Sequence, residues 1–352
     1  MHLLIPFASA LSAEALQMVP TLVLSNLQRL LARLDAVAID AGSRRGASST
    51  TGRAGRARRT GSAGSTGRTG DAGDAGDTDD AYSLTPPHER ALAAAWGWQG
   101  DDGALPFAAR AARADGIDVG AQAWGLVTPA HWQVGREHIT MAHPDALELD
   151  ADASRQLFEV VRGLFESEGC TCAWGAPDRW YVAHDLLDGL PCASLDRVIG
   201  RNVDFWLGAV QADPRLGRVR RLQSEVQLLL YPHPLNEARE ARGALAVNSF
   251  WLSGCGRAQH AEPAAVAVDD SLRRPLLEGD AAGWAAAWAA LDAGPLARLL
   301  QAVEHADAAS EIALTLCGER HAQRLVRTPR SLWQRLRARS RAPDLHALLA
   351  AL

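Results

Sequence analysis

The run Tyr231-Pro-His233-Pro-Leu-Asn236-Glu-Ala-Arg239, followed by Asn248-Ser-Phe-Trp251-Leu-Ser-Gly254-Cys-Gly256, carries the densest polar patterning in the chain. Just upstream, Leu222 to Tyr231 places its leucines at helical spacing, so a helix is expected to end in the Pro-His-Pro turn. Ala246 to Leu252 then reads as a strand that runs into a glycine turn. Asn and Arg beside such a junction suit an anionic ligand, because arginine offers a forked donor and glycine lets backbone N–H groups approach. The same residue types also build turns and cap helices, and the pattern leaves both readings open.

Working outward, His2 to Ala8 reads as a short buried strand and Ala13 to Ala36 as one helix, with Leu24, Leu27, Leu31 and Leu34 on its apolar face. From about Ala41 to Asp80 the chain turns to Gly, Ser, Thr, Arg and Asp-Ala-Gly repeats, which have almost nothing to put in a core, so residues 41–82 are expected to be a disordered insertion. Order should resume near Leu84, where Pro87-His88-Glu89-Arg90 opens a short helix ahead of Trp96 and Trp98. Gly125-Leu-Val-Thr is strand-like, and Asp150 or Asp152 can cap a helix that Gly169 stops. The next strand is Cys172-Ala-Trp or Trp180-Tyr-Val-Ala. Gly283 to Val303 reads as a helix with Trp284 and Trp288 one turn apart, and Ile312 to Cys317 as a last core strand before a basic C-terminal helix. The alternation is that of an α/β protein.

Composition narrows the chemistry. The 352 residues are 47% hydrophobic, enough for a large core, and the net charge of -5 gives no overall attraction for nucleic acid. All 36 basic residues are arginine, which excludes a P-loop lysine, a Schiff-base lysine and a lysine general base. The five cysteines lack zinc-ribbon spacing and read as reduced thiols, with Cys170-Thr-Cys172 a weak metal or redox hint. No stretch approaches the ~20 apolar residues of a membrane span, and the first residues lack a secretory pattern, so a cytoplasmic protein with no membrane partner is expected.

The order helix, His-Pro-x-Asn-x-x-Arg, Gly, Asn-x-x-Trp-x-x-Gly-x-Gly resembles the archaeal-type cofactor-independent phosphoglycerate mutases, where their inserted domain returns to the phosphatase domain. Trp124 to Thr128, Glu137 to Thr140, the Asp152-to-Gly169 helix and Pro177 to His184 follow that insert's order. The segment Leu190 to Arg201 sits where the family has Pro-Pro-His-Asp, and of that pair only Asp196 is kept. The resemblance implies an alkaline-phosphatase-type fold whose chemistry resides in a serine and two divalent metals at the strand ends of the outer domain. Here Leu3-Leu-Ile-Pro-Phe-Ala runs into Ser9-Ala10 where that family has its first metal-binding Asp, and no His-x-Glu-x-x-Asp-x-x-x-His pattern follows Gly256.

A second resemblance spans the whole chain. His2 to Ala8, His131 to Ile139, Ala193 to Arg201, Leu222 to Tyr231 and Leu314 to Arg320 look like the RpfE-type regulatory proteins of proteobacteria, which implies a regulatory context without a mechanism.

Smaller clusters carry two readings each. His131, His138 and His143 suit metal ligands or a wet turn between strands. Asp269-Asp270 suits a cation or the start of a helix. Cys317-Gly-Glu-Arg-His321 closes a strand where α/β sheets place binding residues, with Cys317 a conceivable nucleophile. Arg320 to Arg341 holds eight arginines around Trp333, which fits a nucleic-acid or protein scaffold or an ordinary exposed helix.

The expectation is therefore an α/β fold, a degenerate alkaline-phosphatase/phosphoglycerate-mutase-like sheet over 1–40 and 245–352, with a smaller inserted α/β domain over 83–244. It is expected to sense a small phosphorylated or acidic ligand through Arg179, His184, Asp196, Arg201, His233, Asn236, Arg239 and Asn248, with no catalytic residue, metal or cofactor. The alternatives are an active 2,3-bisphosphoglycerate-independent phosphoglycerate mutase and a scaffold acting through the Arg-rich C-terminal helix.

Overall fold

The computed structural model describes residues 1–39, 82–208, 213–260, 265–305, 307, 310–328 and 344–352. The low-complexity insertion, apart from Tyr82, and the arginine-rich stretch over 329–343 lie outside the described residues. The strands in chain order are β1 (His2–Ile5), β2 (Asp35–Val37), β3 (Ala123–Ala130), β4 (Trp132–Val134), β5 (Ile139–Met141), β6 (Thr171–Ala176), β7 (Arg179–Ala183), β8 (Ser249–Arg257), β9 (Val266–Val268), β10 (Ala313–Cys317) and β11 (Ala322–Val326).

Two sheets organise an α/β fold. The outer sheet runs β2-β11-β10-β1-β9, in which β1 pairs parallel with both β10 and β9 while β11 and β2 are antiparallel. Leu3, Leu4 and Ile5 are all buried, as expected of a central parallel strand covered on both faces. One face packs Leu24, Leu27, Leu31, Leu34, Trp284 and Trp288. The other takes Leu92, Trp96 and Trp98 of the Pro87–Ala95 helix region. The inner sheet, β6-β7-β3-β8, is antiparallel throughout, with the Ala151–Ser167 and Leu216–Leu230 helices against it.

Local signals fix several of these elements. Asp150 Oδ1 accepts from the Ala153 amide at 2.8 Å and Gly169 stops the helix at φ +85°. Cys172-Ala-Trp and Trp180-Tyr-Val-Ala are both strands, paired as the β6–β7 hairpin.

Four expectations are corrected. The helix expected over 13–36 is two, Ala13–Met18 and Ser25–Leu31, because Pro20 opens a tight turn that redirects the chain. The helix over 283–303 likewise divides into Ala281–Leu291 and Ala297–His305 around a wide turn containing Pro295. The first part of the arginine-rich tail is strand β11, antiparallel to β10. The glycine turn after Leu252 does not form: β8 continues to Arg257 through Gly254, which holds φ +63° at an irregularity opposite Gly125. A Cβ at Gly254 would stand 2.8 Å from the Ala108 amide nitrogen, so this glycine admits the Phe107–Ala114 helix rather than an anion.

Strand β8 completes the inner sheet, and the Pro87–Ala95 helix packs on the outer one.

Candidate functional site

Parallel strands present ligands beyond their carboxyl ends, and here β1 and β10 deliver Phe7, Ser9 and Glu319 to that edge. Phe7 adopts φ +56°, and its carbonyl accepts from Trp284 Nε1 at 2.9 Å, which fixes the turn. The Pro87–Ala95 helix brings its first turn, His88 and Glu89, over the same edge, with the His88 ring 5.2 Å from that of Phe7. From the inner side comes the short Leu195–Val198 turn, capped by Ser194, and from the outer side Arg273 follows β9.

Their side chains form two partly buried clusters across the junction. Asp196 bonds His88 Nε2 at 3.2 Å through Oδ2 and receives Arg273 Nε at 2.9 Å and Nη2 at 2.5 Å on Oδ1. Burial alone would raise the Asp196 pKa, yet the hydrogen bond from His88 and the charge of Arg273 outweigh it and hold the carboxyl well below its usual range. Glu319 receives the Leu11 amide at 2.6 Å on Oε2 and Arg201 Nη2 on Oε1, while Arg197 Nη1 donates to the Glu319 carbonyl at 2.9 Å.

Glu89 stands apart. It lines a cavity of about 220 Å³ with Thr85, Ser194, Asp196, Ser253 and Arg273. Ser194 Oγ donates to Glu89 Oε1 at 2.6 Å, and Oε2 accepts from no described residue. Burial pushes its carboxyl up to about 7, against the opposing pull of His88 and of the Ser194 hydroxyl. A carboxyl titrating near neutrality beside a cavity can donate, accept or counter a charge there.

Of the eight residues expected to hold a ligand, only Asp196 and Arg201 reach this junction. Arg179 is a surface clamp on Asp115, Nε to Oδ2 at 2.9 Å and Nη2 to Oδ1 at 3.0 Å, with Tyr181 Oη donating to the same carboxylate at 2.7 Å. His184 caps the Asp185–Leu187 turn and His233 the Pro234–Ala241 helix, accepting from the Leu186 amide at 2.9 Å and the Leu235 amide at 3.2 Å. Asn236 is buried and makes three backbone hydrogen bonds, to Leu230 and to both sides of Val247. Arg239, 1% exposed, gives Nε to the Leu245 carbonyl at 2.8 Å and Nη2 to that of Leu147. Asn248 clasps the Trp132 amide at 2.7 Å and its carbonyl at 2.9 Å. Asn236, Arg239 and Asn248 thus bond chiefly to backbone, which satisfies buried carbonyls and amides, while Arg239 Nη1 has no partner among the described residues.

The smaller clusters disperse as well. His131 Nδ1 lies 2.8 Å from the Ala246 carbonyl, His138 is exposed in the β4–β5 turn, and His143 Nδ1 accepts from the Asp145 amide. Burial pushes the Cys317 thiol up, which disfavours the thiolate a nucleophile needs. The strand-end position of the 317–321 stretch does deliver Glu319 to the junction. His88, Glu89, Ser194 and Arg273 escaped the sequence reading. The only hint was Pro87-His88-Glu89-Arg90, legible as a helix start and not as a site.

A two-metal centre does not fit these donors: both oxygens of Asp196 and of Glu319 are already engaged, and among the described residues no group of three His, Cys, Asp or Glu side chains is gathered to hold a metal ion. No helix among the described residues is long and apolar enough to cross a membrane.

No family model and no curated protein matches the chain. Among solved structures it is similar to the PH0037 protein from Pyrococcus horikoshii, with 12% identity and a TM-score of 0.41 over 93% of this chain and 87% of that one. It is also similar to the cofactor-independent phosphoglycerate mutase from Thermoplasma acidophilum, with 11% identity and a TM-score of 0.29 over 62% of this chain and 71% of that one. Both TM-scores fall below 0.5, and neither likeness carries a function over to this chain.

Proposed function

We propose that this chain is a mutase-like protein of the RpfE regulatory type that senses a small molecule at the junction of its two sheets and catalyses no phosphoryl transfer. One observation carries the reading: the carboxylates at the junction, Asp196 from the inner side and Glu319 from the strand-end edge, are closed onto Arg273 and Arg201 from across it. Guanidinium groups hold both carboxylates, and each ion pair ties one sheet's unit to the other's. A ligand entering the adjoining cavity touches Asp196 and Arg273 directly, so occupancy is coupled to the tie between the units.

The test has two parts. Phosphorus NMR of 3-phosphoglycerate with the protein, with and without manganese, is expected to show no 2-phosphoglycerate; turnover would establish an active mutase and sink the proposal. Hydrogen exchange should then show the backbone of 195–198 and 273–277 changing protection when a cavity ligand binds, whereas unchanged exchange at both turns removes the coupling.

A further inference from the structure

The cavity beside Glu89 is lined by the apolar residues Leu105, Phe107 and Leu126 and by the polar Thr85 and Ser253. Three charged side chains line it: Glu89, Asp196 and Arg273. Asp196 and Arg273 are bonded to each other, so Glu89 has no ion-pair partner among the residues that line the cavity and feels only the more distant pull of His88 and Arg197. The cations nearby are engaged elsewhere. Arg197 donates to the Glu319 carbonyl and Ser83 Oγ, His88 faces Asp196, and Arg273 Nη1 lies 3.4 Å from His143 Nε2.

An anion entering this space would meet a second carboxylate and no uncommitted arginine among the described residues. A cation would meet one oxygen of Glu89 already positioned by Ser194 and a second, Oε2, that accepts from no donor among the described residues. Building on the ligand-sensing reading above, we infer that the cavity binds a small organic cation, a primary ammonium on a short apolar body, with Glu89 as its counter-ion. The ammonium donates to Oε2, Thr85 and Ser253 line the same cavity as further polar residues, and the apolar body lies against Leu105, Phe107 and Leu126. This is the opposite charge to the one that the Asn/Arg constellation suggests, because those residues are committed to backbone.

Binding an ammonium requires the ionised carboxylate. With the Glu89 carboxyl near 7, about one site in a hundred is ionised at pH 5 and most are at pH 8, so cation affinity should rise by well over tenfold between them. His88, Asp196 and Arg197 are the charged neighbours felt by Glu89, and Asp196 stays ionised over this range.

The experiment is isothermal titration of the full chain at pH 5 and pH 8 with propylammonium and ethanolammonium as cationic probes, and with inorganic phosphate and 3-phosphoglycerate as anionic ones. The expected result is cation binding at pH 8 that weakens at least tenfold at pH 5 and loses its pH dependence in Glu89→Gln. Ser194→Ala removes a hydrogen bond that favours the ionised carboxyl, and should move the midpoint of cation binding to higher pH. That variant and the wild-type profile keep the test open if Glu89→Gln fails to fold. Anion binding without cation binding overturns the cation assignment and leaves ligand sensing standing. Cation binding indifferent to pH overturns the role of Glu89, and silence from all four probes at both pH values overturns the cavity as a ligand site altogether.

Discussion

Replacing Glu89 by glutamine should remove a specific pH dependence of stability. The carboxyl stands near 7 in the folded protein against 4.5 for the unperturbed group. The folded state therefore holds this proton more tightly, and its contribution is complete below pH 4.5 and lost as pH rises through 7. A difference of about 2.5 pK units corresponds to about 3 kcal/mol, lost by the wild type between pH 4.5 and 8 and absent in Glu89→Gln. Urea denaturation of both proteins at half-unit intervals measures it, the variant being subtracted at each pH. His2, pushed down to about 4 by burial and the nearby Arg324 charge, and His143, lowered chiefly by burial, also titrate in the folded or unfolded chain over this range. They are common to both proteins, so the subtraction cancels them. Parallel stability curves would refute the reasoning, since they would mean that the Glu89 carboxyl is solvated through the cavity and titrates as an ordinary glutamate.

Two further outcomes follow from the packing. Arg239→Ala strips the hydrogen bonds from two carbonyls, Leu245 and Leu147, and should destabilise the fold by about 3 kcal/mol in urea denaturation, while ligand binding at the junction survives in the folded fraction. Gly254→Ala forces a Cβ to within 2.8 Å of the Ala108 amide at a positive φ, and should cost about 2 kcal/mol or more by the same measurement; a neutral result would show that the Phe107–Ala114 helix does not press on β8.

What the sequence shows of this fold is its local part. The apolar spacing and caps identify the helix that follows Asp150, and the buried run Leu3-Leu-Ile identifies β1, because both signals are written within a few residues. The partners are not so written: His2 pairs with Ala313, and nothing near either residue says so. Leucine periodicity runs on across Pro20 and tryptophan spacing precedes Pro295, which makes each stretch read as one helix, and the local backbone constraint of the proline prevails. The site shows the same division. Arg239 and Asn236 have the donor chemistry of a binding site, but tertiary structure turns them onto main-chain groups. Glu89 sits in an ordinary first turn of a helix, and only the convergence of Ser194, Asp196 and Arg273 from distant segments gives it a cavity and a shifted proton affinity.

The pairing of β1 with β10 and β9 also sets the order in which the chain can fold as it is made. All four strands of the inner sheet lie between residues 123 and 257, so that sheet can close while synthesis is still in progress. Strand β1 has no parallel neighbour until residue 266 and no full-length one until 313. Its Leu3, Leu4 and Ile5, with the leucines of the Ser25–Leu31 helix, must wait exposed through most of translation, an interval in which a holdase chaperone has a defined apolar segment to grip.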